Sequence, residues 1–303
     1  MPNVLLLECG SNSLKVHFRS GAHEEYHILK FPWRLGRDVY ETGSLSDETL
    51  AQALRTVEDL VRMGFERKAM LAIATEGLRD ARNRTDLLDQ LRERLQLQVR
   101  VISGREEASL LAEGYLKQGG SIPAFLMDIG GGSVQLVHIS AEKTVLRDSL
   151  PLGVIRLHCL GEEEGKPWNR AFVEDYVESQ LETACLMKVP QINATGGTVK
   201  ALARVLEKKF LPREEIDALL ETVAREGPPA QLRPQRRLIF LPGLIMISKV
   251  MHHTGASSLR QISISVGRYF LERLVDRLGR QAAGEGKDGL ADAMRITNIR
   301  SRL

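Results

Sequence analysis

Val4-Leu5-Leu6-Leu7-Glu8-Cys9-Gly10-Ser11-Asn12-Ser13-Leu14-Lys15-Val16 returns in outline 120 residues later as Ala124-Phe125-Leu126-Met127-Asp128-Ile129-Gly130-Gly131-Gly132-Ser133-Val134-Gln135-Leu136. In each copy an apolar run ends at a carboxylate, a glycine-rich turn follows, and alternating apolar residues resume. That is the pattern of strand, tight turn and strand. Glu8 aligns with Asp128, Gly10 with Gly130, Ser13 with Ser133, Leu14 with Val134 and Val16 with Leu136. An acidic residue, a glycine and a serine falling in register between apolar strands reads as an internal duplication.

Outward from the first copy, Ser46 can cap a helix whose apolar positions Leu50, Ala53, Leu54, Val57 and Leu60 keep helical spacing until Gly64. Met70 to Ala74 reads as a buried strand, Thr85 to Leu95 as a helix, Val99 to Ile102 as a strand and Glu106 to Leu116 as a helix. This alternation predicts an α/β fold. Gly119-Gly120-Ser121 with Pro123 marks a break before the second copy. Further on, a strand at Ile192 to Ala194 meets the loop Thr195-Gly196-Gly197-Thr198 and a helix from Val199 to Leu206. The proline-rich stretch from Glu226 to Arg237 reads as a surface connection, Leu238 to Val250 as an apolar helix or helix pair, Ile262 to Ser265 as a strand and Tyr269 to Leu278 as a helix. The expected division is an N-terminal lobe at 1–120, a C-terminal lobe at 121–285 and a tail helix at 286–303 that could pack back on the first lobe.

The chain of 303 residues, 43% hydrophobic and 27% charged, is long enough for two cores. Its 42 basic and 39 acidic residues leave a net charge of +3, too small for a general affinity for nucleic acid or anionic membrane, so anion binding must be local. Cys9, Cys159 and Cys185 form no CxxC pair and suit buried thiols in a reducing compartment. Met1 to Leu7 carries no basic leader, and no apolar run has membrane-spanning length, so a cytoplasmic location is expected.

Glycine lets backbone N–H groups approach an anion closely, so the duplicated turns Gly10-Ser11-Asn12-Ser13 and Gly130-Gly131-Gly132-Ser133 suit phosphate. Glu8 and Asp128 could hold Mg²⁺ directly or through water. Gly196, Gly197 and Thr198 offer a third anion-compatible loop at a helix start, where a simple cap at Thr198 is the plainer reading. Arg79 could clamp phosphate oxygens. Glu106 and Glu107 open a helix, where the dipole alone favours carboxylates; the functional alternative makes one of them a general base for an attacking water.

The order of these segments, with Arg34-Leu35-Gly36, Ala74-Thr75, Val101-Ile102-Ser103-Gly104 and Ser149-Leu150-Pro151-Leu152-Gly153, resembles the Ppx/GppA phosphatase family over nearly the full length. The resemblance implies two ribonuclease-H-like lobes of the actin, hexokinase and heat-shock ATPase superfamily, with an interlobe cleft. It implies hydrolysis of terminal phosphate from inorganic polyphosphate or guanosine pentaphosphate, assisted by Mg²⁺ or Mn²⁺, and a homodimer. Carried over by position, Glu107 is the catalytic base, Arg79 the phosphate clamp and Asp128 a metal or water ligand. This chain departs from the family at Glu8, where aspartate is usual, and at Val134 and Gln135, where threonine and glutamate are usual. Leu238 and Tyr269 fall where an acidic residue and an arginine are expected, and no histidine precedes an aspartate, so a short form without the C-terminal HD-like domain is expected. Two further readings stand beside the hydrolase: a catalytically impaired sensor of polyphosphate or a guanosine alarmone, suggested by Gln135, and a kinase of the same superfamily, disfavoured by the segments around Arg79 and Glu107.

Overall fold

A computed structural model describes residues 5–20, 25–33, 35–66, 70–142, 145–162, 164–184 and 186–282. Arg34, Cys185 and the expected tail helix at 286–303 lie outside the described residues. The chain divides into two compact units, one made of Met1–Leu110 with Ser265–Leu303 and one of Leu111–Ile264.

The first unit begins with β1 (Leu5–Cys9), β2 (Ser13–Ser20) and β3 (Glu25–Pro32), then α1 (Leu35–Thr42), α2 (Asp47–Arg62), β4 (Met70–Ala74), α3 (Glu76–Asp80), α4 (Arg84–Leu95), β5 (Val99–Val101) and the first half of α5 (Gly104–Lys117). The strands form one sheet in the order β3-β2-β1-β4-β5, antiparallel across β3, β2 and β1 and parallel across β1, β4 and β5. Period-two alternation splits β1 between two cores. Leu5, Leu7 and Cys9 join Leu14, Val16, Ala72 and Ala74 beneath the buried residues of α1, α2 and α4, while Leu6 joins Leu71, Ile73, Ile102 and Leu110 on the other face. The Ser46 hydroxyl accepts the Thr49 N–H at 3.2 Å and caps α2 as the sequence predicts.

The second unit contains β6 (Ala124–Ile129), β7 (Val134–Ile139), β8 (Val145–Leu150), α6 (Val154–Gly161), α7 (Arg170–Glu182), β9 (Gln191–Gly196), α8 (Gly197–Val205), β10 (Phe210–Pro212), α9 (Arg213–Glu226), α10 (Pro234–Arg237), α11 (Phe240–Thr254) and β11 (Ser258–Gln261). Its sheet order, β8-β7-β6-β9-β11 with β10 added at the edge, repeats that of the first unit with the same parallel and antiparallel pairings. Glu8 opposes Lys15 and Cys9 opposes Leu14 in one copy; Asp128 opposes Gln135 and Ile129 opposes Val134 in the other. The duplication inferred from the sequence is thus repeated in strand register. The apolar stretch near residue 240 forms a single helix, α11, buried on nearly every face and packed on α6, α7 and α9.

α12 (Val266–Ala282) closes the first unit, placing Phe270, Leu271 and Leu274 on Leu6, Leu71 and Ile73. The boundaries therefore fall at 110/111 and 264/265 in place of the expected 120/121 and 285/286, because this apolar helix covers the otherwise open face of the first sheet. A second difference is the strand expected at Ile262 to Ser265. The ladder instead uses Ser258–Gln261, where Leu259 pairs with Ile192 and Arg260 with Asn193. Among the described residues no helix is long and apolar enough to cross a membrane.

Candidate functional site

In the first unit the N–H of Gly10 donates to Ser13 O at 3.2 Å, closing the turn between β1 and β2. The carbonyls of Ser11 and Asn12 accept from Gly36 N at 2.8 Å and Trp33 N at 3.4 Å, which anchors the turn to the start of α1. In a trans peptide the carbonyl and the following N–H point in opposite directions, so the N–H groups of Asn12 and Ser13 face away from α1. The Ser11 side chain is buried and its hydroxyl pairs with the Tyr40 hydroxyl at 2.9 Å, so it attaches the loop as well as forming part of it.

The second copy repeats this construction more fully. Gly130 N donates to Ser13's counterpart, Ser133 O, at 2.9 Å. The carbonyls of Gly130, Gly131 and Gly132 accept from the first N–H groups of α6: Val154 to Gly130 at 3.2 Å, Ile155 to Gly131 at 2.8 Å and Gly153 to Gly132 at 3.1 Å. The helix thereby satisfies its own orphan donors, and the N–H groups of Gly131, Gly132 and Ser133 turn the opposite way. Successive backbone N–H groups on one side of a turn make an anion-binding nest. Gln135, almost fully buried, donates its amide to Ser133 Oγ at 2.8 Å and to Ser149 Oγ at 3.2 Å. It therefore braces the second loop against β8.

β9 runs parallel to β6 with Ile129 opposite Gly196, which sets the third loop beside the second. Gly196 has φ +112°, and a Cβ there would lie 2.4 Å from Ile129 O, so only glycine fits. α8 starts without a side-chain cap: Thr198 is buried within its first turn and Thr195 donates its hydroxyl to Ile264 O at 3.2 Å. The group that reaches this helix start is Arg236, whose guanidinium Nη2 lies 2.3 Å from where a Cβ on Gly197 would be. Burial, and then the neighbouring Arg233, hold its pKa below the ordinary guanidinium value, with no carboxylate among the causes. A guanidinium at the positive end of a helix suits a phosphate oxyanion. In the sequence Arg236 reads as part of a surface connection, and the grouping of Arg233, Arg236 and Arg237 is the signal it offers.

Arg79 and Glu107 are brought together in the first unit. Thr75 N donates to Cys9 O at 3.1 Å, so α3 begins beside the first loop, at the carboxyl ends of β1 and β4 where α/β sheets place ligands. From α3, Arg79 donates to Ile102 O at 2.6 Å and approaches Glu107 Oε2 at 3.9 Å. The adjacent carboxylate has another task. Glu106 Oε2 accepts Ser103 N at 2.7 Å while Ser103 Oγ accepts Glu106 N at 3.2 Å, a reciprocal capping box. This separates the pair: Glu106 caps α5 and Glu107 faces Arg79. Glu106→Ala is expected to lower stability by about 1 kcal/mol in urea unfolding and leave any catalytic rate unchanged.

A divalent cation fits the two carboxylates unequally. Glu8 is buried, its Oε1 paired with the Lys15 ammonium and its Oε2 2.9 Å from His17 Nε2. Burial favours the neutral acid, but Lys15 and then His17 outweigh it and hold the Glu8 carboxyl well below the usual range. Both oxygens are committed, so Glu8 does not fit a metal. Asp128 is half-buried at the equivalent register, and a carboxylate there is of the ligand class that Mg²⁺ takes. Cys9, next to Glu8, is buried, and burial followed by Glu8 pushes its thiol up, which leaves it inert. Tyr269 is buried and Leu238 exposed.

A duplicated α/β fold with a glycine-rich turn in each half and a third beside the second is the ribonuclease-H-like architecture expected from the sequence. Residues 19–266 match the profile of the Ppx/GppA phosphatase family. The chain belongs to that family. It is 25% identical over 215 residues to Exopolyphosphatase 1 of Mycobacterium leprae, a match covering 66% of this chain and 63% of that relative. The chain thus spans less than two thirds of that protein's length. Among solved structures, the Aquifex aeolicus member of the Ppx/GppA family superposes with a TM-score of 0.69 at 21% identity, covering 92% of this chain and 98% of that one. An exopolyphosphatase from Cytophaga hutchinsonii gives 0.71 at 20% identity over 91% and 98% of the two chains. At these identities the likeness concerns the fold.

Proposed function

We propose that this protein releases terminal phosphate from inorganic polyphosphate, with guanosine pentaphosphate as the second candidate substrate. The observation that carries the reading is the placement of Glu107 and Arg79 together beside the Gly10–Ser13 turn. Glu107 accepts a proton from water as the water oxygen bonds to the terminal phosphorus and the bridging P–O bond breaks. Arg79, fixed by Ile102 O, supplies positive charge to the phosphoryl oxygens and keeps the base oriented. Within the second unit, the backbone donors of the Gly131–Ser133 turn, the start of α8 and Arg236 are a further set of groups suited to phosphate. Mg²⁺, when bound, would neutralise phosphate charge, with Asp128 as its protein ligand.

A binding protein of the same fold is the second reading, favoured by the neutral Gln135 braced between two serines and by the commitment of Glu8 to Lys15 and His17. Phosphate release is measured with tripolyphosphate, long-chain polyphosphate and guanosine pentaphosphate, with Mg²⁺ or Mn²⁺. Release from the polyphosphates is the expected result. A ligand-dependent thermal shift without release would favour the binding protein, and the absence of both would sink the two readings together.

A further inference from the structure

Resting on the phosphohydrolase reading, we infer that Glu76 is a positioning residue, a second carboxylate that holds the Arg79 guanidinium off the general base Glu107. Arg79 stands between two carboxylates and closes on neither: its Nη2 lies 3.5 Å from Glu76 Oε2 and its Nη1 3.9 Å from Glu107 Oε2. Arginine and carboxylate ordinarily draw in to about 2.7–2.9 Å, often through two bonds. The shortest contact of this guanidinium is instead with a neutral group, Ile102 O, 2.6 Å from Nη1. Two attractions of similar length, acting on different nitrogens, account for that geometry, since neither carboxylate outweighs the other.

Glu76 stands where its backbone cannot yield. On one side the Thr75 N–H is held by Cys9 O at 3.1 Å. On the other, Gly77 is pressed against the first turn, where a Cβ would lie 2.8 Å from Ser11 Oγ and 3.0 Å from Ser11 Cα. Arg79 is tied in turn by its own N–H to Thr75 O at 3.0 Å. Among the described residues the buried carboxylates are Glu8 and Glu76, and Glu8 is matched by Lys15 and His17. A carboxylate drawn merely to the positive end of a helix is a poor account of Glu76. α3 has only 5 residues and so little dipole, and burying a carboxylate costs more than an i, i+3 pair returns. Side-chain exposure rises from 7% at Glu76 to 14% at Glu107 and 24% at Arg79, so Glu76 lies deepest and Glu107 is the carboxylate nearer water.

Without the charge of Glu76, Nη1 can keep Ile102 O with one hydrogen and turn its other onto Glu107. That pair would occupy lone pairs that the base offers to water and donors that the clamp offers to phosphoryl oxygens. A carboxylate bound to a guanidinium is also a weaker base.

The test measures phosphate release from tripolyphosphate by the full chain with Mg²⁺. Glu76→Gln is expected to lower kcat about 10-fold or more, and Glu76→Asp, which keeps the charge, to stay within about threefold of wild type. The same Glu76→Gln change made in Glu107→Gln is expected to cost less than about twofold, because no base is left to quench. A purely structural role would cost the same factor in both backgrounds. That outcome, a wild-type rate in Glu76→Gln, or a Glu76→Asp as slow as Glu76→Gln overturns the inference, and the hydrolase reading then stands on the loss in Glu107→Gln alone. A wild type that releases no phosphate overturns both. Should Glu76→Gln fail to fold, Glu76→Ser removes the charge with a smaller side chain and is judged by the same ratios in the two backgrounds.

Discussion

Glu107→Gln is expected to slow phosphate release from tripolyphosphate by about 10²- to 10⁴-fold while leaving tripolyphosphate affinity unchanged. The amide matches the carboxylate in shape but cannot take a proton from water at neutral pH. Arg79 would stay in place, because its shorter bond is the 2.6 Å contact to Ile102 O and not the 3.9 Å approach to Glu107. A loss confined to kcat, with KM retained, is the signature of a group used in the transition state alone. Full activity in Glu107→Gln would move the base elsewhere and reduce the Arg79–Glu107 pair to a helix-to-loop tie.

Gly153→Ala is expected to cost about 2–4 kcal/mol of stability and more than about 10-fold in tripolyphosphate affinity. A Cβ at this position would lie 2.1 Å from Gly132 C, 2.2 Å from Gly132 N and 2.3 Å from Gly132 Cα. All three are backbone atoms, so no rotamer relieves the overlap. Either α6 retreats or the second turn moves, and both outcomes break the bonds from Gly153 to Gly132 O and from Ile155 to Gly131 O. Those bonds are what direct the turn's N–H groups outward. Gly10→Ala is the control, because its Cβ would meet only Ser13 O at 3.3 Å. Urea unfolding and calorimetric titration of the two variants give the comparison; equal behaviour would mean that α6 does not hold the second turn.

The duplicated hairpins were legible because both of their signals, period-two apolar alternation and a glycine turn, are local. The equivalent sheet orders follow from the same repeat. What escaped the sequence depended on partners distant along the chain. β3 alternates half-buried and exposed positions with none fully buried, and its strand identity comes from pairing along β2 from Ser13 to Ser20. Ile262 and Ile264 have strong strand propensity, yet the paired positions end at Gln261, and Ile262 adds only the N–H that it donates to Ala194 O at 2.8 Å. In the site, the roles of Glu106 and Glu107 could have been separated from the Ser103-to-Glu106 spacing alone. Lys15 opposite Glu8 was also readable from the hairpin register. Arg236 was not, since it acquires its role only when the start of α8, remote in sequence, arrives beside it.

The arrival of α12 also orders events during synthesis. The second unit is one uninterrupted stretch, Leu111–Ile264, whereas the first is assembled from both sides of it. Leu6, Leu71 and Ile73 have no complete apolar cover until Phe270, Leu271 and Leu274 have been made. As a nascent chain leaves the ribosome, the half that starts later can therefore finish folding earlier. The half that starts first must carry an open sheet face through that interval, a high-contact-order closure and the window in which this protein is most exposed to misassociation.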